Sequence, residues 1–125
     1  MIFDDVEKED LFIKGLVEYN NKNFYDAHEF WEELWSDYKL QEPDLIQGLI
    51  QVSVGYFHLS NLNRKGAIGL FTKCIKKLAP YQTSTFLPID ICLILADVSA
   101  TLDWIEKNDN LKEFKWENFK TISIQ

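Results

Sequence analysis

"PDLIQGLIQVSVGYFHLSNL", residues 43–62, decides the fold, because apolar side chains face nearly every direction when this stretch is wound as a helix. A helix that is apolar on all sides is normally surrounded by other helices. Pro43 suits the first turn of such a helix, and "NLNRKG", residues 61–66, provides a polar turn after it. The stretch therefore predicts a central, buried helix.

Four further helices are predicted around it from apolar positions that recur at steps of three and four. They cover about residues 5–21, 24–38, 67–78 and 89–107. Asp4 or Asp5 is expected to cap the first helix and Asn23 the second, and the prolines at 80 and 88 bound a loop. The predicted fold is an all-α, single-domain bundle of about five helices, built from antiparallel hairpins over residues 1–125, with a docked tail at about 108–125.

The bulk composition agrees with one helical domain. The chain has 125 residues and 46% apolar content, enough for one core, and only five Gly and three Pro to break helices. No stretch is as long and apolar as a membrane span, and the N-terminus is acidic where a secretory signal is basic. We expect no membrane partner and a cytoplasmic location, or the plastid stroma if the chain is plastid-encoded.

The charge is uneven and argues against nucleic-acid binding. The net charge is −7, and residues 1–45 carry 13 acidic against 4 basic side chains. Contacts to phosphates need clustered Lys and Arg, and here they form only a modest patch on the fourth predicted helix. No nucleic-acid partner is therefore predicted.

"FYDAHEFWEELW", residues 24–35, carries polar side chains at the edge of an aromatic helix face. It has the pattern H-E-x-x-E where a zinc-protease helix has H-E-x-x-H. On a helical wheel His28 lies at the border of the apolar face, and Glu32 lies one turn after it. These two side chains are expected to meet, with Tyr25 beside them.

The buried central helix has one polar line, formed by Gln47, Gln51 and His58 within about 40° of each other on the wheel. An unpaired buried polar group costs roughly 1–3 kcal/mol, so this line needs partners. The polar edge of the second helix offers them. A pocket between helices 2 and 3 is therefore predicted, where His28, Glu32 and His58 converge.

Two main interpretations of this pocket are open, beside metal-free acid–base catalysis by His28 with Glu32. In the first, His28, Glu32 and His58 bind a divalent transition metal such as Zn²⁺, Mn²⁺ or Fe²⁺, with water in the open position. Glu29 and Glu32 are then the catalytic carboxylates, with Glu29 as general base. The residues that would support the ligands or contact substrate are Gln47, Gln51, Tyr25 and Trp31. In the second, the same polar groups satisfy one another and only position the helices.

Two glycines on another face of the central helix, Gly48 and Gly55, are seven residues apart. Glycine at such positions lets a neighbouring helix approach closely. We interpret both as packing positions.

The fifth predicted helix shows apolar residues on more than one face, at positions 91, 94, 95, 98, 102 and 105. One small domain has few elements to cover them all. A homodimer is therefore predicted.

"NNKNFYDAHEFWEELW" followed by "LIQGLIQVSVGYFHLSNLNRKGAIGLF" resembles a family of small helical proteins, domain of unknown function 309. The resemblance covers about residues 15–80. Its A-H-E-x-W-E pattern lies on residues 27–32, and its Q-G-L-I-Q pattern lies on residues 47–51, with His58 after it. The resemblance implies an all-α bundle, and members are loosely labelled predicted metal-dependent hydrolases. Two functions follow as hypotheses: a metal-dependent hydrolase of unknown small-molecule substrate, or a non-catalytic, homodimeric binding or assembly module.

Overall fold

The computed structural model describes residues 2–125 and has five α-helices, joined by short connections except for residues 79–90 between the last two. They are α1, Val6–Asn20; α2, Phe24–Asp37; α3, Pro43–Ser60; α4, Arg64–Leu78; and α5, Ile91–Lys107. Single-turn 3₁₀ segments follow at Ala79–Tyr81, Leu111–Glu113 and Trp116–Asn118. Residues 2–125 contain no β-strand, so the predicted all-α fold of about five helices is confirmed. None of the helices in this range is both long enough and apolar enough to span a bilayer.

Side-chain caps set most of the helix starts. Asp5, Asn63 and Asp90 each accept a hydrogen bond from a backbone N–H in the first turn of α1, α4 and α5. Asn23 is the N-cap residue of α2, as predicted, but its side chain makes no hydrogen bond to that helix. It donates instead to Glu18 Oε2 at 2.8 Å, because the tight turn brings it back over the end of α1.

α3 is the most buried helix, with nine buried residues. α2 and α4 pack on it, and each helix also packs against the next one along the chain. A Cβ at Gly48 would come within 2.4 Å of the Leu78 side chain, and one at Gly55 within 2.6 Å of Phe71. The interpretation of both glycines as positions of close helix approach is confirmed, and α4 is the helix they admit.

An aromatic core joins α1, α2 and α3. Trp31 is fully buried and donates its indole N–H to the backbone oxygen of Phe12 at 3.1 Å. Its ring lies directly on Gly15, where any Cβ would overlap it. The Phe24 and Tyr56 rings stack with centroids 5.5 Å apart. These contacts hold α2 against both of its neighbours.

The C-terminal tail packs on this aromatic core. Phe119 lies against Tyr19, Phe24 and Tyr56, with ring centroids 5.1–5.4 Å apart. Asn20 exchanges two hydrogen bonds with the backbone of Ile122, at 2.9 and 2.8 Å. The tail thereby covers the open side of the bundle where α5 does not reach.

One arginine ties the start of α4 to the end of α5. The Arg64 guanidinium donates to the backbone oxygens of Ile105 and Asn108. Carbonyls at the end of a helix lack intrahelical partners, and a cationic donor there also complements the helix dipole. This contact places α5 and the tail that follows it.

Candidate functional site

His28 and Glu32 meet on the surface of α2. His28 Nε2 lies 2.8 Å from Glu32 Oε2, and His28 Nδ1 lies 3.0 Å from the backbone oxygen of Tyr25. A carbonyl and an ionised carboxylate only accept hydrogen bonds, so the ring satisfies both contacts at once only when both nitrogens carry protons. The Glu32 side chain is 55% exposed, which makes this a surface contact.

His58 lies in the last turn of α3, next to the turn that leads into α4. Its Nδ1 lies 3.3 Å from the amide nitrogen of Asn63, and the Asn63 side-chain oxygen accepts from the backbone N–H of Gly66. Because Nδ1 accepts here, a neutral ring carries its proton on Nε2. The ring also lies on Gly66, where a Cβ would come within 2.7 Å of His58 Cγ.

Both histidines line one small cavity between α2 and α3. Its volume is about 100 Å³, and we call it the histidine cavity; its lining residues are Phe24, Tyr25, His28, Val54, Phe57 and His58. The Tyr25 ring packs edge-on to His28 and tilted to Phe57, with centroids 5.2 and 5.6 Å away. An apolar cavity of roughly 150 Å³ holds one benzene, so this one accommodates a single small side chain.

Acidic side chains lie near Tyr25, one of the residues that line the histidine cavity. The charge of the Glu29 carboxylate raises the pKa of the half-exposed Tyr25 phenol, and Asp26 and Glu32 add to the effect. All three carboxylates are exposed on α2. A cation near Tyr25 would therefore be attracted, and an anion repelled.

The residues present do not fit the predicted metal centre. Within residues 2–125, no three His, Cys, Asp or Glu side chains are grouped so that they would hold a metal ion. His28 and Glu32 supply two neighbouring ligand atoms, whereas the Nδ1 atom of His58 contacts Asn63. A catalytic zinc needs three protein ligands besides water.

The predicted polar line of α3 divides between two places. Gln51 lines a different, open cavity beside Lys73, Lys76 and Lys77, and its Oε1 is buried without a hydrogen-bond partner. Gln51 and His58 lie at similar angles around the helix, but seven residues separate them by about 10 Å along its axis. Gln47 lies a further turn away, and the histidine cavity includes neither glutamine.

Trp31 is also absent from the histidine cavity, because it is buried between α1 and α2. The sequence arguments missed Phe57 and Asn63 as contacts of this site. Asn63 carried a usable signal, since an asparagine before a helical pattern is a common N-cap and brings its side chain back over the preceding turn. Phe57 carried none, because it was one of many apolar residues on α3.

Comparison with known proteins supports the predicted resemblance. Residues 12–70 match the family model described as Domain of unknown function (DUF309), which confirms it. The matched segment contains every residue that lines the histidine cavity, and α5 and the tail lie outside it. No curated protein matches the chain.

Proposed function

Since residues 12–70 belong to a family of unknown function, we propose from the site itself that the chain is a non-catalytic binding module. The histidine cavity takes one apolar side chain of a basic segment in a partner protein. The observation that carries the proposal is a side-chain-sized cavity of about 100 Å³ with mostly aromatic and aliphatic walls. Its histidines already contact protein groups, so they serve as walls.

The negative charge near the histidine cavity indicates which residues the partner segment carries. Three exposed carboxylates act on the Tyr25 phenol beside the cavity, and the chain carries a net charge of −7. Complementary charge at the rim of an interface speeds association and disfavours wrong partners. A segment with Lys or Arg flanking one apolar anchor matches both the cavity and its rim.

The competing function is the metal-dependent hydrolase, with Glu29 and Glu32 as catalytic groups. Three features support it less well: two grouped ligands in place of three, both His28 nitrogens at acceptors, and a cavity of only about 100 Å³. Pockets for small-molecule ligands measure roughly 300–1,000 Å³.

A binding module is tested by selecting random peptides on immobilised protein. We expect selected peptides to share one apolar residue flanked by Lys or Arg. Val54→Phe fills the cavity and should lower the affinity for these peptides roughly tenfold or more. Glu29→Gln should lower that affinity by a smaller factor. Glu33→Gln is the matched control, because Glu33 is exposed on the same helix and is not among the groups acting on Tyr25.

Peptides without basic residues, or affinities that Val54→Phe leaves unchanged, would contradict the proposal. Thermal melts of each variant exclude unfolding as the cause of lost binding. Elemental analysis separates the two functions directly. About one equivalent of a transition metal in the purified protein, lost in His28→Ala, would favour the hydrolase.

The homodimer stays a prediction, and fewer exposed apolar side chains of α5 support it than the sequence suggested. Of the α5 side chains from which it was derived, Ile91, Ile94, Val98 and Ile105 are buried within the chain. Leu93, at 54% exposure, is the large apolar side chain that α5 leaves in solvent. A dimer mass in light scattering that Leu93→Lys reduces to a monomer would support self-association through α5, and a monomer mass at high micromolar concentration would contradict it.

A further inference from the structure

A second cavity lies between α5 and the C-terminal tail, with Tyr56 of α3 at its floor. Its volume is about 280 Å³, and we call it the tail cavity. Among its lining residues only Tyr56 falls within the family-matched residues 12–70. The tail cavity is therefore separate from the histidine cavity and is built from the part of the chain outside that match.

The floor of the tail cavity offers a hydrogen-bond acceptor. Thr101 donates its single hydroxyl proton to the backbone oxygen of Asp97 at 3.0 Å. The Tyr56 hydroxyl, 3.0 Å from Thr101 Oγ1, must then be the donor in that pair. Burial raises the pKa of Tyr56 to about 12, so the phenol stays neutral. Its oxygen keeps lone pairs that can accept from a bound donor.

Asp97 also lines the tail cavity, and its carboxylate has no hydrogen-bond or ion-pair partner among residues 2–125. Among residues 2–125, no side chain or backbone N–H donates to it, and no ion pair within 4.0 Å includes it. Burial raises its pKa, and the charge of Lys120 partly offsets the effect. A partly buried carboxylate without a protein partner is less stable in its ionised form than a fully hydrated one.

Lys120 also lines the tail cavity. Lys120 and Asp97 are close enough for charge interaction and too far apart for an ion pair. Glu113 and Lys115 also line the cavity from the tail side, so acids and bases are balanced around it. A lone cation would meet two lysines, and a lone anion would meet two carboxylates.

The remaining wall is aromatic. The Trp104 and Phe114 rings pack edge to face, with centroids 5.2 Å apart, and both line the tail cavity. Aromatic surface of this kind takes an apolar group or the face of another ring. A volume of about 280 Å³ sits at the lower end of the range for small-molecule sites, roughly 300–1,000 Å³.

We propose that the tail cavity binds a small zwitterion of the amino-acid class with an apolar side chain. The ammonium group bridges the Asp97 carboxylate and the Tyr56 oxygen. The carboxylate group faces Lys120, and the side chain lies against the Trp104–Phe114 wall. The ligand thus carries two opposite charges, and each one pairs with the oppositely charged side chain, Asp97 or Lys120.

Isothermal titration calorimetry on the full chain tests this assignment with three probes that share a phenyl group. L-phenylalanine carries both charges, 2-phenylethylamine only the ammonium, and 3-phenylpropionate only the carboxylate. We expect L-phenylalanine to bind, and the two singly charged probes to bind at least tenfold more weakly, since each leaves one charged group in the cavity without its partner.

Two variants assign the ends of the ligand. Asp97→Asn should weaken L-phenylalanine roughly tenfold or more, because a hydrogen bond to a charged group is lost. Lys120→Gln should lower the affinity for L-phenylalanine without lowering the affinity for 2-phenylethylamine. Asp103→Asn is the matched control, since Asp103 lies on the same helix outside the cavity and is paired with Lys107 at 3.0 Å. Its affinity should be unchanged.

Absence of binding by all three probes at millimolar concentration would overturn the proposal. So would equal affinities for L-phenylalanine and 2-phenylethylamine, or an Asp97→Asn variant that binds as the unmodified chain does. Circular dichroism melts confirm that each variant is folded, and Asp97→Asn removes an unpaired charge, so we expect it to fold.

Discussion

At the scale of single residues, the two histidines of the site differ in what surrounds them. His28 contacts Glu32 on an exposed face of α2, whereas His58 fills the turn between α3 and α4, against Gly66 and Asn63. An exposed ion pair contributes little to stability because water and salt screen it. A half-buried ring that packs on a backbone contributes more, because its removal leaves a void.

We therefore expect His58→Ala to lower the free energy of unfolding by roughly 1–3 kcal/mol. His28→Ala should lower it by less than about 1 kcal/mol. Urea denaturation of both variants measures the difference. Equal losses, or a larger loss for His28→Ala, would contradict the distinction drawn between the two rings.

Asp97 supplies a pH-dependent prediction. Its folded-state pKa is raised above the ordinary value of 3.8, with burial as the main cause, so the folded chain holds this proton more tightly than the unfolded chain does. Ionisation of Asp97 thus costs stability above its folded pKa, and the cost disappears as pH falls below 3.8. Asp97→Asn should raise Tm at pH 7 and leave it nearly unchanged at pH 3.

The control for this prediction is Asp103→Asn, whose carboxylate is exposed and paired with Lys107. It should not raise Tm at pH 7. Thermal melts at the two pH values measure both variants. A lower Tm for Asp97→Asn at pH 7 would show that Lys120 outweighs burial at this site.

At the scale of elements, α4 contains two glycines with opposite roles. Gly66 lies in the first turn, under the His58 ring, and a Cβ there would meet His58 and Asn63 atoms at 2.7 Å. Gly69 lies mid-helix with nothing within 4 Å of such a Cβ. Glycine inside a helix is less favourable than alanine because more backbone freedom is lost on folding.

Gly69→Ala should therefore stabilise the protein by about 0.5–1 kcal/mol. Gly66→Ala should destabilise it by about 1–3 kcal/mol, because the His58 ring must move away from α4. Chemical denaturation of the two variants measures whether each change raises or lowers the free energy of unfolding. If both variants were stabilised, the His58 ring would be free to move and its part in the turn would be minor.

At the scale of the whole molecule, the tail completes a core that the five helices leave open. Leu111 and Ile122 are buried, and Phe119 covers Tyr19, Phe24 and Tyr56. Full burial of one large apolar side chain is worth about 1.5–3 kcal/mol. The tail is thus part of the folded domain, and it also forms one wall of the tail cavity.

Deleting residues 111–125 should lower the free energy of unfolding by roughly 3–9 kcal/mol, the burial of two to three such side chains. Deleting only residues 123–125 is the control, because it removes an exposed Ile124 and the Gln125 N–H bond to Pro88. That loss should stay below about 1.5 kcal/mol. Urea denaturation measures both, and similar values for the two deletions would contradict the tail's role in the core.

The sequence alone determined the features that depend on neighbouring residues. The periodic apolar pattern predicted five helices with bounds correct to within three residues, since helix formation and turn chemistry are local. The one-turn spacing predicted the contact of His28 with Glu32. The two small residues on α3 predicted the close approach of another helix, because only glycine leaves that space.

Tertiary structure decided where the polar groups meet. A helical wheel gives angles around an axis and omits the rise along it, so it aligned Gln51 with His58 although about 10 Å of helix separates them. Asn63 reached His58 through the shape of a turn, and Asp97, Lys120 and Tyr56 came together only when the tail packed across α5. Contacts between residues far apart in the chain depend on how whole helices pack, and a pattern of neighbouring residues does not contain that information.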